Sequence, residues 1–177
     1  FIVGSLALNA GSTINATDAT TDVDTLAIAT SGAGNVTFRD SDAVTIATVD
    51  GVNGASINNG SLNLITGGHL VIDNVISGSG TLDFDVTGDY DQNSNVSTSG
   101  GSIDIDATGS ADIAQGSQLT AGGNGTFLNV DAAEITVNRG SSGNGTVVNT
   151  GTGTIALTST GATDILLNRF AIAIADG

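Results

Sequence analysis

The sequence has no cysteine, proline, methionine or tryptophan, and only three basic residues, all arginine, against eighteen acidic ones. Each gap removes a class of protein. Without cysteine there is no disulfide scaffold, no thiolate zinc site and no cysteine nucleophile. Arg39, Arg139 and Arg169 are scattered and cannot neutralise a run of phosphates, so nucleic acid is excluded as a partner. No stretch of about 18 apolar residues occurs, so no transmembrane helix is expected. The helix formers Lys, Met and Glu are absent or nearly so, which argues against an α-rich fold. What remains is rich in Thr, Val, Ile, Asn, Asp and Gly, the vocabulary of strands and tight turns. The formal charge is −15, yet 39% of residues are apolar and only 12% charged, which is a folding composition rather than a disordered one. A length of 177 residues suits a single unit spanning 1–177. The sequence opens on the apolar run Phe1-Ile2-Val3 and closes with Asp176-Gly177, without a signal peptide or charged tail. It is therefore expected to be a mature or excised segment of a longer repetitive protein.

Short alternating segments recur. They include 25–30 (TLAIAT), 43–48 (AVTIAT), 61–66 (SLNLIT), 81–86 (TLDFDV) and 102–107 (SIDIDA). Apolar residues two apart put one face in and one face out. The first apolar positions, Leu26, Val44, Leu62, Leu82 and Ile103, are offset by 18, 18, 20 and 21. Further on, 123–126 (GNGT) returns at 143–146, Asn129 at Asn149, and Ile135/Val137 at Ile155/Leu157, each after twenty residues. A fixed period near twenty, built of short strands, predicts an all-β fold: a right-handed parallel β-helix (β-solenoid) with coils of about 18–21 residues. One coil cannot bury its own apolar face, whereas stacked coils share a continuous aliphatic core. Absent proline suits a ladder in which nearly every N–H donates. Asn at the turns tolerates the left-handed conformation. An antiparallel sandwich is the alternative fold, with Asp50-Gly51, Asn53-Gly54 and Asn59-Gly60 as hairpin signals.

Several phrases carry a family resemblance: 60–68 (GSLNLITGG), 80–88 (GTLDFDVTG), 100–109 (GGSIDIDATG) and 153–159 (GTIALTS). Their shared pattern, Gly-x-Leu/Ile-x-Leu/Ile-x-Thr-x-Gly, resembles the repeat regions of filamentous-haemagglutinin-like adhesins and autotransporter passengers of large bacterial surface proteins. The resemblance implies a right-handed parallel β-helix, secretion to the extracellular space or bacterial cell surface, and an adhesive or matrix role.

Five Asp-x-Asp pairs stand out: Asp22/Asp24, Asp40/Asp42, Asp83/Asp85, Asp89/Asp91 and Asp104/Asp106. On a strand, each pair shares one face and points outward. Asp83/Asp85 and Asp104/Asp106 lie 21 apart, so stacked coils would bring four carboxylates together, and Ca²⁺ would relieve their repulsion. Asp89, Asp91 and Asn93 have the one-three-five spacing of an EF-hand loop, but Ser94 and Gly100 stand where Gly and Glu belong. The Ca²⁺ candidates are therefore Asp83, Asp85, Asp104, Asp106, Asp89 and Asp91, against the plainer reading of a solvated acidic face. No catalytic residue and no other cofactor is expected. His69 stands alone and reads as a rim residue. Phe1, Phe38, Phe84, Phe127 and Phe170, 37 to 46 apart, read as core fillers. Six Asn-x-Ser/Thr sequons, at Asn15, Asn35, Asn59, Asn95, Asn124 and Asn144, are what so much Ser and Thr produces by composition.

Three functions follow in order of preference. The first is a non-catalytic structural or adhesive solenoid: a stalk, adhesin or filament component. Its partners would be further coils of the same protein, a second copy stacked head to tail, or a glycan or host-cell surface. The second is a carbohydrate- or ice-binding β-helix, with Thr30, Thr48 and Thr66 forming a rank 18 residues apart. The third, more remote, is a polysaccharide-degrading enzyme, for which aromatic platforms and clustered cations are lacking.

Overall fold

A computed structural model describes residues 1–138, 147–150, 152–168 and 172–174, the last of these in their backbone only. All the described elements are strands, and no helix is long and apolar enough to cross a membrane. The backbone winds as stacked coils. The first two coils have two sides each: β1 (Ile2–Ala10) with β2 (Ile14–Ala16), then β3 (Asp22–Thr30) with β4 (Val36–Asp40). The third has β5 (Val44–Ile46), a small hairpin of β6 (Thr48–Val49) and β7 (Val52–Asn53), then β8 (Ala55–Ile57) and β9 (Leu62–Thr66). Three-sided coils follow: β10 (Leu70–Ile72), β11 (Ile76–Gly78) and β12 (Leu82–Val86), then β13 (Tyr90–Gln92), β14 (Val96–Thr98) and β15 (Ile103–Ala107). Next come β16 (Ser110–Ile113), β17 (Leu119–Ala121) and β18 (Phe127–Ala132), then β19 (Glu134–Val137), β20 (Val147–Asn149) and β21 (Thr154–Ser159). The last described strands are β22 (Ile165–Leu167) and β23 (Ile172–Ile174).

Among the described residues every coil-to-coil pairing is parallel, and the only antiparallel contact is the β6–β7 hairpin. One seven-stranded sheet runs β2-β4-β9-β12-β15-β18-β21. Its six steps, at about 4.8 Å each, make a stack roughly 29 Å tall. The other sheet forks. The nine-residue β3 pairs on one side with the whole of β1. On its other side Thr25 and Leu26 pair with β5, while Ile28 and Ala29 pair with β8. Fully buried Ala27 sits at the branch. The hairpin is built into that fork. Ala47 N donates to Leu26 O (3.1 Å), Ile28 N to Gly54 O (2.8 Å), and Gly54 N to Ala47 O (3.0 Å). Its turn, Asp50-Gly51, has φ of 48° and 79°, the left-handed pair that a two-residue hairpin requires. From β5 and β8 onward the cross-section has three sides.

Inward positions stack into apolar columns. Val36, Leu62, Leu82, Ile103 and Leu128 form one, and Phe38, Leu64, Phe84, Ile105 and Val130 the next, all at most 1% exposed. Burial of each such residue stabilises the fold by about 1.5–3 kcal/mol. From the opposite sheet come Leu70, Tyr90 and Ala111, with Tyr90 stacked on Phe84 at 6.1 Å between ring centroids. Polar Gln92 is also fully buried. Its Oε1 accepts from Tyr90 Oη (3.0 Å), and its Nε2 donates to Gln118 O (2.9 Å), so both amide atoms are satisfied. The repeated glycines of the motif have a steric cause. A Cβ on Gly101 would land on the Gly80 carbonyl, and one on Gly80 would lie 2.5 Å from Gly60 O. These glycines stack because the coil below leaves no room for a larger residue.

Register corrects the repeat arithmetic. Leu62, Leu82 and Ile103 are true partners, at steps of 20 and 21. Leu26 instead pairs with Ile46, and Val44 with Leu70, so the first 18-residue offset is two residues out of register within one sheet, and the second links different sheets. In the second half the coils lengthen. Leu128 pairs with Ile155 (27 residues), Leu119 with Val147 (28) and Ile135 with Ile165 (30). The expected matches Ile135–Ile155 and Asn129–Asn149 are therefore not partners. The ladder keeps its parallel pairing across these longer steps. Residues 143–146, Arg139, Arg169, Phe170, Asn144 and Asp176-Gly177 lie outside the described residues. Of the remaining phenylalanines, Phe38 and Phe84 fill the core, but Phe1 and Phe127 are 53% and 42% exposed.

Candidate acidic face

The outward side of the seven-stranded sheet carries two columns of polar residues. In the first, Asn63, Asp83, Asp104 and Asn129 follow one another in register. In the second, Asp85, Asp106 and Asp131 do so, with Ile65 before them and Thr158 after. The alternation of the strands forces this: Leu82, Phe84 and Val86 point in, so Asp83 and Asp85 must point out. Five carboxylates thus share one patch at the strand spacing of about 4.8 Å. Four of them are Asp83, Asp85, Asp104 and Asp106, brought together as the spacing predicts.

The first column is closed by amides at both ends. Asn63 Nδ2 donates to Asp83 Oδ2 and Asn129 Nδ2 to Asp104 Oδ1, both at 3.0 Å. Asn129 Nδ2 also lies 3.2 Å from Asp131 Oδ2. Each of the two stacked aspartates therefore meets a like charge on one side and an N–H donor on the other. The repulsion is still felt. Partial burial, then the charges of Asp85, Asp104 and Asp106, hold the Asp83 carboxyl above its ordinary value, against the Asn63 bond. Asp106 is raised by partial burial and by Asp104, Asp131 and Asp85. Asp131 and the flanking asparagines were not legible as part of this patch. Asp131 lies 25 residues beyond Asp106, so a period of twenty misses it.

Asp89 and Asp91 belong to another side. Tyr90 and Gln92 point into the core, so residues 89–95 form a strand and its turns rather than a loop wrapped around an ion. Asp89 caps the turn: its Oδ1 accepts from Ser110 N (2.8 Å), and this bond holds its carboxyl below the ordinary value. Its own N–H donates to His69 Nδ1 (3.0 Å). His69 is about half exposed, a rim position as expected, and among the described residues its side chain reaches Asp89 in the next coil. Asp91 stacks on Asp112, and is raised by partial burial and by the charges of Asp89 and Asp112. Asn93 bonds Asp73 (2.9 Å) rather than turning toward Asp91. Among the described residues no group of three or more His, Asp or Glu side chains converges as a metal site would require. The acidic ladder is a planar array of side-by-side carboxylates. A cation would have to bridge adjacent rungs.

Two other expectations are corrected. Asp40 does not share an outward face with Asp42: it is 1% exposed, and it accepts from Val23 N (2.9 Å) and Asp42 N (3.1 Å). Burial pushes its carboxyl up to about 6. The Thr30/Thr48/Thr66 rank does not exist. Thr30 and Thr66 are 5% and 2% exposed and make internal hydrogen bonds, while Thr48 lies on the hairpin.

The surface offers concavity elsewhere. An open cleft of about 390 Å³ at the corner after β8 is lined by Thr30, Ser56, Asn58, Asn59, Ser77 and Ser79, among others. None of its lining residues is charged. Set against known proteins, the sequence matches no family model, no curated protein and no solved structure.

Proposed function

We propose that this protein is a structural or adhesive β-solenoid of an extracellular bacterial surface protein, without catalytic activity. The observation that carries the reading is the pairing of a continuous, mainly apolar core with a surface of repeated small and acidic side chains. Such a molecule invests its sequence in stacking and in solubility. The motif glycines support it too, since they are spent on close coil packing rather than on a ligand. The resemblance to filamentous-haemagglutinin-like and autotransporter repeats agrees with this role. Ca²⁺ is the cation that the acidic ladder would take, through Asp83, Asp85, Asp104 and Asp106.

Beads coated with the protein, flowed over glycan- and matrix-coated surfaces with and without millimolar Ca²⁺, test the proposal. Retention above uncoated beads supports adhesion. Protease resistance without retention supports scaffolding. Release of reducing sugar from the same glycans would sink the non-catalytic reading. A second reading, neutral-glycan binding, rests on the uncharged corner cleft with its hydroxyl and amide lining. Loss of retention on Ser77→Asp alone would favour it. The ice-binding form of that reading loses its motive with the buried threonines.

A further inference from the structure

The structure describes three Asn-Gly dipeptides, and it treats them differently. Asn-Gly is the sequence most prone to intramolecular attack, because glycine leaves its own nitrogen unshielded by a Cβ. The reaction needs that nitrogen to be free to reach the asparagine Cγ. At Asn53-Gly54 it is not: Gly54 N donates to Ala47 O (3.0 Å), and Asn53 Oδ1 accepts from Thr48 Oγ1 (2.8 Å). At Asn59-Gly60 the asparagine is exposed, but the peptide is clamped. Gly60 is buried against the backbone of Gly34, and its carbonyl accepts from Gly80 N (3.0 Å). The flanking Asn58 N and Ser61 N are held by Thr30 Oγ1 (2.9 Å) and Asn35 Oδ1 (3.1 Å).

Asn124-Gly125 has none of these restraints. Both residues are exposed, in the turn between β17 and β18. Among the described residues no hydrogen bond involves the Asn124 amide or the Gly125 N–H. A Cβ at Gly125 would meet nothing within 4 Å, and its φ of 74° lies in the left-handed region. The loop is tied at its base, where Thr126 Oγ1 donates to Gly123 O (2.9 Å) and Thr126 O accepts from Thr154 N and Asn149 Nδ2 (3.2 Å each).

We propose that Asn124 is a site of spontaneous deamidation in the folded protein, and that Asn53 and Asn59 are protected by the coil stack. The Gly125 nitrogen gives up its proton to solvent base and bonds to Asn124 Cγ. The bond between Cγ and Nδ2 then breaks, and ammonia leaves after taking up a proton. Water opens the resulting succinimide at either carbonyl, giving aspartate or isoaspartate. One negative charge is gained. The extra backbone methylene of the isoaspartate falls in a turn outside the ladder, so the stack survives it.

The test is ageing of the full-length protein at mildly alkaline pH, with peptide mapping by mass spectrometry and isoaspartate detection, in buffer and in guanidinium chloride. In buffer, Asn124 is expected to convert at least about tenfold faster than Asn53 or Asn59, because those two react only from locally opened states. In denaturant the three rates should fall within about threefold of one another, since the dipeptide is the same. Asn124→Gln should abolish the fast native conversion and leave the circular dichroism unchanged. Equal native rates at the three sites, or a native Asn124 as slow as the other two, would overturn the assignment. The Asn144-Gly145 pair lies outside the described residues, and its peptide is scored separately.

Discussion

Replacing Asp106 by asparagine should stabilise the protein at neutral pH. Asp106 is exposed, and among the described residues its carboxylate accepts no hydrogen bond that the change would remove. It faces Asp85 and Asp131 directly across the ladder and Asp104 along the strand. At about 5 Å and an effective dielectric of 40–80, Coulomb's law gives about 1–2 kcal/mol of repulsion per stacked pair. Cross-strand like pairs in sheets run lower, about 0.2–1 kcal/mol each, because water and salt screen them. Three such neighbours on an exposed group come to about 1 kcal/mol. That raises the thermal midpoint by about 2–4 °C in a protein of this size. The sign with pH follows from the raised carboxyls of Asp83 and Asp106. Their folded-state values lie above the unfolded one, so ionising them costs stability. The wild type therefore weakens as pH rises from the ordinary aspartate range through those raised values. The gain from Asp106→Asn should be full at pH 7, absent near pH 3, and less than half at about 1 M salt, where the screening length is about 3 Å. Thermal melts followed by circular dichroism over that grid measure it. A loss of stability at pH 7, or a gain that persists at pH 3, would refute the repulsive-lattice argument.

Asp40→Asn should flatten the pH dependence between about pH 4 and 6. The native carboxyl, pushed up to about 6 by burial, costs stability as it ionises across that window, and the amide does not titrate. Urea midpoints at pH 4 and pH 7 report the difference, and an unchanged slope counts against it. Tyr90→Phe leaves buried Gln92 Oε1 without its donor and should cost about 1–3 kcal/mol in a urea melt. Phe84→Ala opens a cavity at the centre of the stack and should cost about 3–5 kcal/mol. Gly101→Ala forces a Cβ onto the Gly80 carbonyl and should cost more than about 2 kcal/mol, whereas Gly11→Ala, with nothing within 4 Å, should change stability by less than about 0.5 kcal/mol.

The middle coils were legible because both of their signals coincide there. Alternation in 82–86 and 103–107 assigns faces, and a step of 20 or 21 assigns register. Outside them the signals part. Strand alternation survives at Leu128/Val130 and Ile155/Leu157, but the step between partners grows to 27, and a fixed period of twenty then aligns Ile155 with the wrong column. Charge pairs were readable where they alternate with apolar residues in one strand, as Asp83/Asp85 do with Leu82 and Phe84, and misleading where one member shares the apolar phase. Asp40 continues the inward alternation of Val36 and Phe38 in β4 and stacks on Thr66, and its carboxylate meets the Val23 and Asp42 N–H groups. Threonine fared likewise. Thr30 and Thr66 close their strands and bond internally. An outward rank cannot be inferred from the spacing between coils, because the alternation within each strand decides the face: Thr30 lies two residues from buried Ile28, and Thr66 two from buried Leu64.

The fork at β3 shows what a change of section asks of the ladder. On one side β3 pairs with the nine-residue β1 as one straight strand, and on the other with the two short strands β5 and β8. Among the described residues this change of section occurs once, and there it takes the hairpin of residues 48–53, with Ala47 and Gly54 hydrogen-bonding on either side of Ala27. Without that insert one arm of the ladder would keep its partners while the other arm's N–H and C=O groups went unpaired, at about 1–3 kcal/mol for each buried group.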